Sequence, residues 1–366
     1  MKEVCVFCEK WGSGGIETFL INVLSRVDKT RFHVTLVAVK LESTAYLPQL
    51  EQIGIELQVF PESAFSSHFR FLDLYKMLKN KSYDVIHFNL YEGIALGYVW
   101  AAKRAGVPVR IVHSHNAGLR KSRLRPLKLL LHNLAKWLWG YAGTKWIACS
   151  RKAAEFLFPA SLIRQGMWEL VPNGIMVQKF QFDPMGREQM RRELGLDHEF
   201  VIGCIGRLCF QKNQHFLLQV FRVLKSQCPD SKLFFVGEGE DLRGLQKQAK
   251  LFGISDSVIF YGVTDRVHEL LWAFDALAFP SRFEGLGIVA IEAQAAGLPV
   301  VCSDHVPEEV AVTALAEFLS LDNVDQWANV LLTHRGQKRE DTSLQLYQKG
   351  YAIKDVAERI QNLWDK

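Results

Sequence analysis

Glu284 and Glu292 stand with seven residues between them in the string EGLGIVAIE. A carboxylate accepts hydrogen bonds from paired hydroxyls, so one glutamate could hold the hydroxyls of a sugar and the other those of a ribose. Between them lie Gly285, Leu286, Gly287 and Ile288. Their backbone N–H groups sit at a predicted helix start, a position suited to phosphate oxygens. The alternative is structural: one glutamate favoured by the helix dipole and one on the surface. Against it, the flanks of Glu292 are almost wholly apolar (IVAIEAQAA), and a buried unpaired carboxylate is costly.

Three more loops carry chemical potential. Gly206-Arg207-Leu208 follows a strand, and Lys212 comes five residues after Arg207; two cations there could neutralise a leaving diphosphate, or they could line a solvated loop. Gly12-Ser13-Gly14-Gly15 lies between a strand and a helix. It offers free amides to an anion, or serves only as a turn. It lacks the dinucleotide glycine pattern, and the second strand ends in Ala38-Val39-Lys40 without an acidic residue, which disfavours an NAD enzyme. His113-Ser114-His115-Asn116 closes a further strand, and either histidine could face a reacting group while the other is structural.

The elements that must position these loops follow a βαβ rhythm. Strands are predicted at 4–8, 33–39, 84–88 and 109–114, with helices at 18–24, 46–52, 95–103 and 127–139. A second series of strands is predicted at 200–206, 232–237, 258–262, 275–280 and 299–303, with helices at 288–296 and 347–364. Two parallel-sheet α/β domains follow. Val171-Pro172-Asn173-Gly174 is a break between them, giving domains over 1–172 and 173–345 and a terminal segment over 346–366.

With 366 residues, nearly half of them apolar, and 23% charged, the composition fits two cores of ordinary size rather than disorder. Residues 1–172 hold 23 Lys+Arg against 13 Asp+Glu, whereas the remainder holds 21 against 26. No acidic residue occurs between Glu92 and Glu155, while twelve basic ones do. Arg120, Lys121, Arg123, Arg125 and Lys128 form the densest group and lead into LKLLLHNLAKWLWGY. That pattern reads as an interfacial helix on anionic lipid, or as a solvated basic face over a core helix. The aromatics follow helical and strand periods and form no stacking platform, so nucleic acid is not expected. Seven cysteines, an odd number, lie in apolar runs and read as free thiols. Cys5 and Cys8 lack the second pair a zinc site needs. Nothing in the sequence reads as a signal peptide or membrane span, so the expected location is cytoplasmic, with peripheral contact at the inner face of the plasma membrane.

The ordered set of Gly14-Gly15, Pro172-Asn173-Gly174-Ile175, Gly206-Arg207, Lys212 and EGLGIVAIE resembles the retaining glycosyltransferases of family 4, which have the GT-B fold. GGIETFLINVL and RIVHSHN further resemble bacterial enzymes that build capsular or exopolysaccharides. The resemblance implies two Rossmann-like domains facing each other across a cleft, the N-terminal one binding acceptor and the C-terminal one binding a nucleotide-sugar. The terminal helix would pack back toward the first. It implies transfer of a hexose or N-acetylhexosamine, from a UDP-linked donor, to a glycan or lipid-linked acceptor. Arg207 and Lys212 would bind the diphosphate, Glu284 the sugar, Glu292 the ribose, and Gly262 and Val263 would lie by the base. Gly14 and Gly15 would approach the donor. His115, or with a two-residue slip His113, would lie by the transferred sugar. No metal is required, since the sequence has no Asp-x-Asp and cations can do that work. The alternative is a non-catalytic nucleotide-sugar-binding subunit of a partner enzyme.

Overall fold

The computed structural model describes residues 1–12, 14–61, 70–119 and 124–365. They form two compact units, one of Met1–Gly174 with the segment from Tyr351 on, the other of Ile175–Gly350.

The first unit contains, in chain order, β1 (Lys2–Trp11), α1 (Gly15–Leu24), β2 (Phe32–Leu41), α2 (Leu47–Gln52), β3 (Glu56–Val59), α3 (Phe71–Asn80), β4 (Val85–Leu90), α4 (Leu96–Ala105), β5 (Val109–Ser114), α5 (Arg125–Trp139), β6 (Lys145–Ala148), α6 (Arg151–Leu157), α7 (Ala160–Arg164) and β7 (Glu169–Leu170). Its strands form one parallel sheet in the order β3-β2-β1-β4-β5-β6-β7. Helices cover both faces of such a sheet, so its central strands read as continuous apolar runs rather than alternating ones. β4 is buried at every residue.

The second unit contains α8 (Val177–Phe180), α9 (Pro184–Glu193), β8 (Phe200–Ile205), α10 (Gln214–Gln227), β9 (Ser231–Val236), α11 (Leu242–Leu251), β10 (Val258–Gly262), α12 (Val267–Ala273), β11 (Ala276–Phe279), α13 (Ile288–Ala295), β12 (Val300–Ser303), β13 (Ala316–Leu319), α14 (Val324–Thr333) and α15 (Ser343–Gln348). The sheet runs β10-β9-β8-β11-β12-β13, again parallel. Phe200, Ile202, Leu217, Phe221, Leu233 and Trp327 pack into its core.

The chain then returns to the first unit as α16 (Ile353–Asp365). The single helix expected over 347–364 is therefore two helices, because Gly350 takes a left-handed φ of 73° that ends α15. Residues 346–350, assigned from sequence to the terminal segment, belong to the second unit. α16 is held by Trp364, 1% exposed. The amide of Asp28 donates to Gln361 Oε1 at 2.7 Å and Lys145 Nζ to the Leu363 carbonyl at 2.6 Å. Gly174 is required by this packing, since a Cβ there would stand 2.9 Å from Ile353 Cα.

Candidate active site

Open parallel sheets bind ligands outside the carboxyl ends of their strands, where the strand order reverses. In the second unit that reversal lies between β8 and β11. Gly206-Arg207 leaves β8, and the chain from Pro280 to Glu284 leaves β11. The two loops meet through side chains. Lys212 Nζ lies 2.7 Å from Glu284 Oε1, both side chains being largely out of water at 18% and 8% exposure. Gln211 Nε2 donates to Glu284 Oε2 at 3.3 Å and to the Phe283 carbonyl at 3.1 Å. The Lys212 ammonium also stands 4.7 Å from the centroid of the Phe279 ring, a favourable placement for a cation.

Backbone conformation explains how these residues reach one another. Gly206 has φ 139°, and a Cβ on it would come within 3.1 Å of Lys212 Cε. Asn213 is the one described non-glycine residue with positive φ, at 59°. There it precedes α10, and its Oδ1 accepts from Arg282 Nη2 at 2.8 Å. Gln214 Nε2 donates to the Arg207 carbonyl at 3.0 Å, while the Arg207 side chain is exposed. Gly287, φ 98°, starts α13, and a Cβ there would stand 2.8 Å from Phe279 Cε1. Leu286, Gly287 and Ile288 thus bring the amino end of a helix into the loop that carries Glu284 and Gly285.

Glu292 lies a turn further along α13 and is half-buried. The packing around its carboxyl disfavours the ionised form and pushes it up from 4.5 to about 7, with Lys179 opposing. Gly262 ends β10 with φ 84°, and Val263 beyond it is 73% exposed.

In the first unit the order reverses between β1 and β4. Gly14 and Gly15 lie there, but the amides expected to await an anion are in part occupied. Gly12 N and Gly14 N each donate to the carboxylate of Glu17 at 2.9 Å. Glu17, three residues past the helix cap, satisfies them as a capping-box partner does. Beyond β5, His115 Nε2 lies 2.9 Å from Asn89 Oδ1, an acceptor, so the ring proton is on Nε2. His113 joins an internal ladder: Trp364 Nε1 donates to His87 Nδ1 at 3.3 Å, and His87 Nε2 donates to His113 Nδ1 at 3.2 Å. Burial drives His87 and His115 down to about 3 from 6.5, and His113 well below 6.5. All three are neutral hydrogen-bonding groups near neutral pH.

Arg125 and Lys128 are exposed at the start of α5; Arg120, Lys121 and Arg123 lie outside the described residues. Sequence reasoning missed Gln211, Asn213, Asn89, His87 and Glu17. Only Glu17 had a readable signal, its capping-box spacing from Gly14.

Two family models match successive stretches of the chain: Glycosyltransferase Family 4 over residues 13–179 and Glycosyl transferases group 1 over residues 186–330. The chain is a family 4 glycosyltransferase. EpsF of Bacillus subtilis, named as a glycosyltransferase, is 29% identical over 96% of this chain and 93% of its own length. The UDP-Gal:alpha-D-GlcNAc-diphosphoundecaprenol alpha-1,3-galactosyltransferase of Escherichia coli is 26% identical over 71% of this chain and 68% of its own. Among solved structures, HepE of Anabaena in complex with UDP and glucose superposes with a TM-score of 0.81 at 20% identity, covering all of both chains. The glycosyltransferase thus has the GT-B fold of two parallel α/β units.

Proposed function

We propose that this glycosyltransferase moves a hexose or N-acetylhexosamine from a UDP-linked donor, with retention of anomeric configuration, to a glycan or lipid-linked acceptor in bacterial cell-surface polysaccharide synthesis. The observation that carries the donor reading is the Lys212–Glu284 pair at the β8/β11 reversal, beside the amide end of α13. Arg207 and Lys212 bind the diphosphate, and the helix amides share its charge as the bond to the sugar breaks. Lys212 first gives up part of its contact with Glu284, which frees that carboxylate to accept from sugar hydroxyls. Glu292 accepts from the ribose, and Gly262 and Val263 border the base. In the first unit, His115 is a neutral hydrogen-bonding group suited to a sugar hydroxyl, and Gly14 and Gly15 open the helix that follows β1. Because these cations face the leaving group, no metal is needed for charge neutralisation. Retention follows when the acceptor hydroxyl attacks from the face the diphosphate leaves and passes its proton to the departing phosphate oxygen.

The UDP reading draws on the names of two relatives, one using UDP-Gal and one holding UDP and glucose. The acceptor reading draws on the diphosphoundecaprenol-linked acceptor in the name of the Escherichia coli enzyme; on a lipid-linked acceptor the protein would work peripherally at the cytoplasmic membrane face. Donor hydrolysis across a panel of UDP- and GDP-sugars, with the product anomer read by NMR, tests the proposal. Release of GDP alone would overturn the donor assignment, and an inverted anomer the mechanism.

A further inference from the structure

Two pairs of polar side chains meet in the middle of the first unit's sheet. β4 carries His87 and Asn89, while β5 and the residue after it carry His113 and His115. Residues two apart on a strand share a face, and β4 and β5 are parallel neighbours. One imidazole N–H joins each member of a pair to the other strand: His87 Nε2 donates to His113 Nδ1 at 3.2 Å, and His115 Nε2 donates to Asn89 Oδ1 at 2.9 Å. Asn89 Nδ2 donates to the Phe7 and His87 carbonyls at 3.3 and 3.4 Å, which turns its oxygen to His115. His87 and His113 are 1% and 0% exposed. Burying imidazoles this deeply costs more than burying aliphatic side chains, so packing alone does not account for them.

The line has a direction, set at its far end. An indole is a donor only. Trp364 Nε1, 3.3 Å from His87 Nδ1, therefore obliges that nitrogen to accept and puts the His87 proton on Nε2. His113 Nδ1 must then accept in turn, so its own proton sits on Nε2, and the Val171 carbonyl favours a protonated ring there. His113 is packed on His115 with ring centroids 3.8 Å apart. Phe19 closes on the two rings, its centroid 5.6 Å from that of His113 and 5.4 Å from that of His115. With Nε2 given to Asn89, His115 keeps Nδ1 as an acceptor without a hydrogen-bond partner.

We propose that Trp364 and His87 are positioning residues, which through His113 fix the setting of the His115 ring. The last helix of the chain thereby tunes a group at the carboxyl end of β5. The proposal rests on the reading of His115 as the partner of a sugar hydroxyl and extends it along a line of side chains to α16. Remove the indole, and the bond between His87 and His113 can run in either direction. His113 then gains a second arrangement, and the ring packed on it is no longer held in one.

The full chain carrying isotope-labelled histidine is followed by NMR near neutral pH. The nitrogen shifts of wild type should place the ring proton of His87, His113 and His115 on Nε2 in all three. Trp364→Phe keeps an aromatic ring in the core but removes the N–H. It should move or split the His113 and His115 signals and lower kcat for donor hydrolysis about tenfold or more. Affinity for UDP should hold, because the diphosphate and ribose are assigned to residues of the second unit. His87→Leu should act alike, whereas His87→Gln, whose amide can accept from the indole and donate to His113, should restore most of kcat. Should Trp364→Phe unfold the protein, the two His87 variants carry the test. A His113 proton on Nδ1 in wild type, His115 signals unmoved in the variants, or a Leu variant as active as the Gln one would each overturn the proposal. Full activity of His115→Ala would instead remove the sugar reading of His115, while the nitrogen shifts alone decide whether Trp364 and His87 set its ring.

Discussion

Replacing Glu292 by glutamine should stabilise the protein at alkaline pH while weakening its hold on nucleotide. The carboxyl is pushed from 4.5 up to about 7 by its surroundings in α13. That displacement corresponds to about 3 kcal/mol of penalty when the group is fully ionised. Because the side chain is half-buried, solvent screening reduces the figure to about 2 kcal/mol. The sign follows from proton binding. Between 4.5 and about 7 the unfolded chain has already released a proton that the folded chain retains, so stability falls as pH rises through that window and levels off above it. Glu292→Gln removes the term. For a unit of this size the melting temperature of the variant should exceed that of wild type by about 4–8 °C near pH 8 and by almost nothing near pH 5. Scanning calorimetry across that range reads the difference directly. In wild type, UDP binding measured by titration calorimetry should tighten as pH rises toward 8, because only the carboxylate accepts from both ribose hydroxyls. The variant should bind UDP about tenfold or more weakly and lose the pH trend. A Gln variant equally stable relative to wild type at both pH values would refute the reasoning.

Three further outcomes are expected. Lys212→Met strands Glu284 in a buried site and should cost about 3 kcal/mol, most of it recovered by adding Glu284→Gln; strictly additive losses in thermal melts would show that the two groups are not coupled. Gly287→Ala forces a side chain into a left-handed backbone and against Phe279, costing about 2 kcal/mol or more. Gly106→Ala, with φ 91° but nothing within 4 Å of the new Cβ, should cost less, and equal losses would dispose of the crowding argument. Glu17→Ala releases the Gly12 and Gly14 amides and should lower stability by about 1–2 kcal/mol, with Glu17→Gln intermediate; an unchanged melting temperature would mean water replaces the carboxylate without loss.

Much of the architecture was legible because buried parallel strands announce themselves as apolar runs. β5 and β10 coincide with the predicted 109–114 and 258–262, and the central strands differ from expectation by a few residues at their ends. β3, β6, β7 and β13, of four, four, two and four residues, are too short to give a period and are absent from the predicted strands. The break between α15 and α16 was hidden for a different reason. Gly350 looks tolerable inside an amphipathic stretch, and only its left-handed conformation makes it a stop. At the candidate site, residue types were readable but partnerships were not. Nothing in RLCFQKN shows that Lys212 faces Glu284 across two loops, or that Asn213 adopts positive φ to allow it. Whether the glycine loop offers its amides to an anion or serves as a turn depends on Glu17, whose carboxylate accepts from Gly12 and Gly14 in a direction that the sequence does not display.

The placement of α16 bears on how the protein is made. Its tryptophan, Trp364, completes the core of the first unit and donates to His87, yet it leaves the ribosome only after the whole of Ile175–Gly350. The first unit therefore waits, with a long apolar seat uncovered, while the second is synthesised and folds. During that interval it is the vulnerable half of the molecule, and chaperone dependence or premature proteolysis should fall on it rather than on the unit made last.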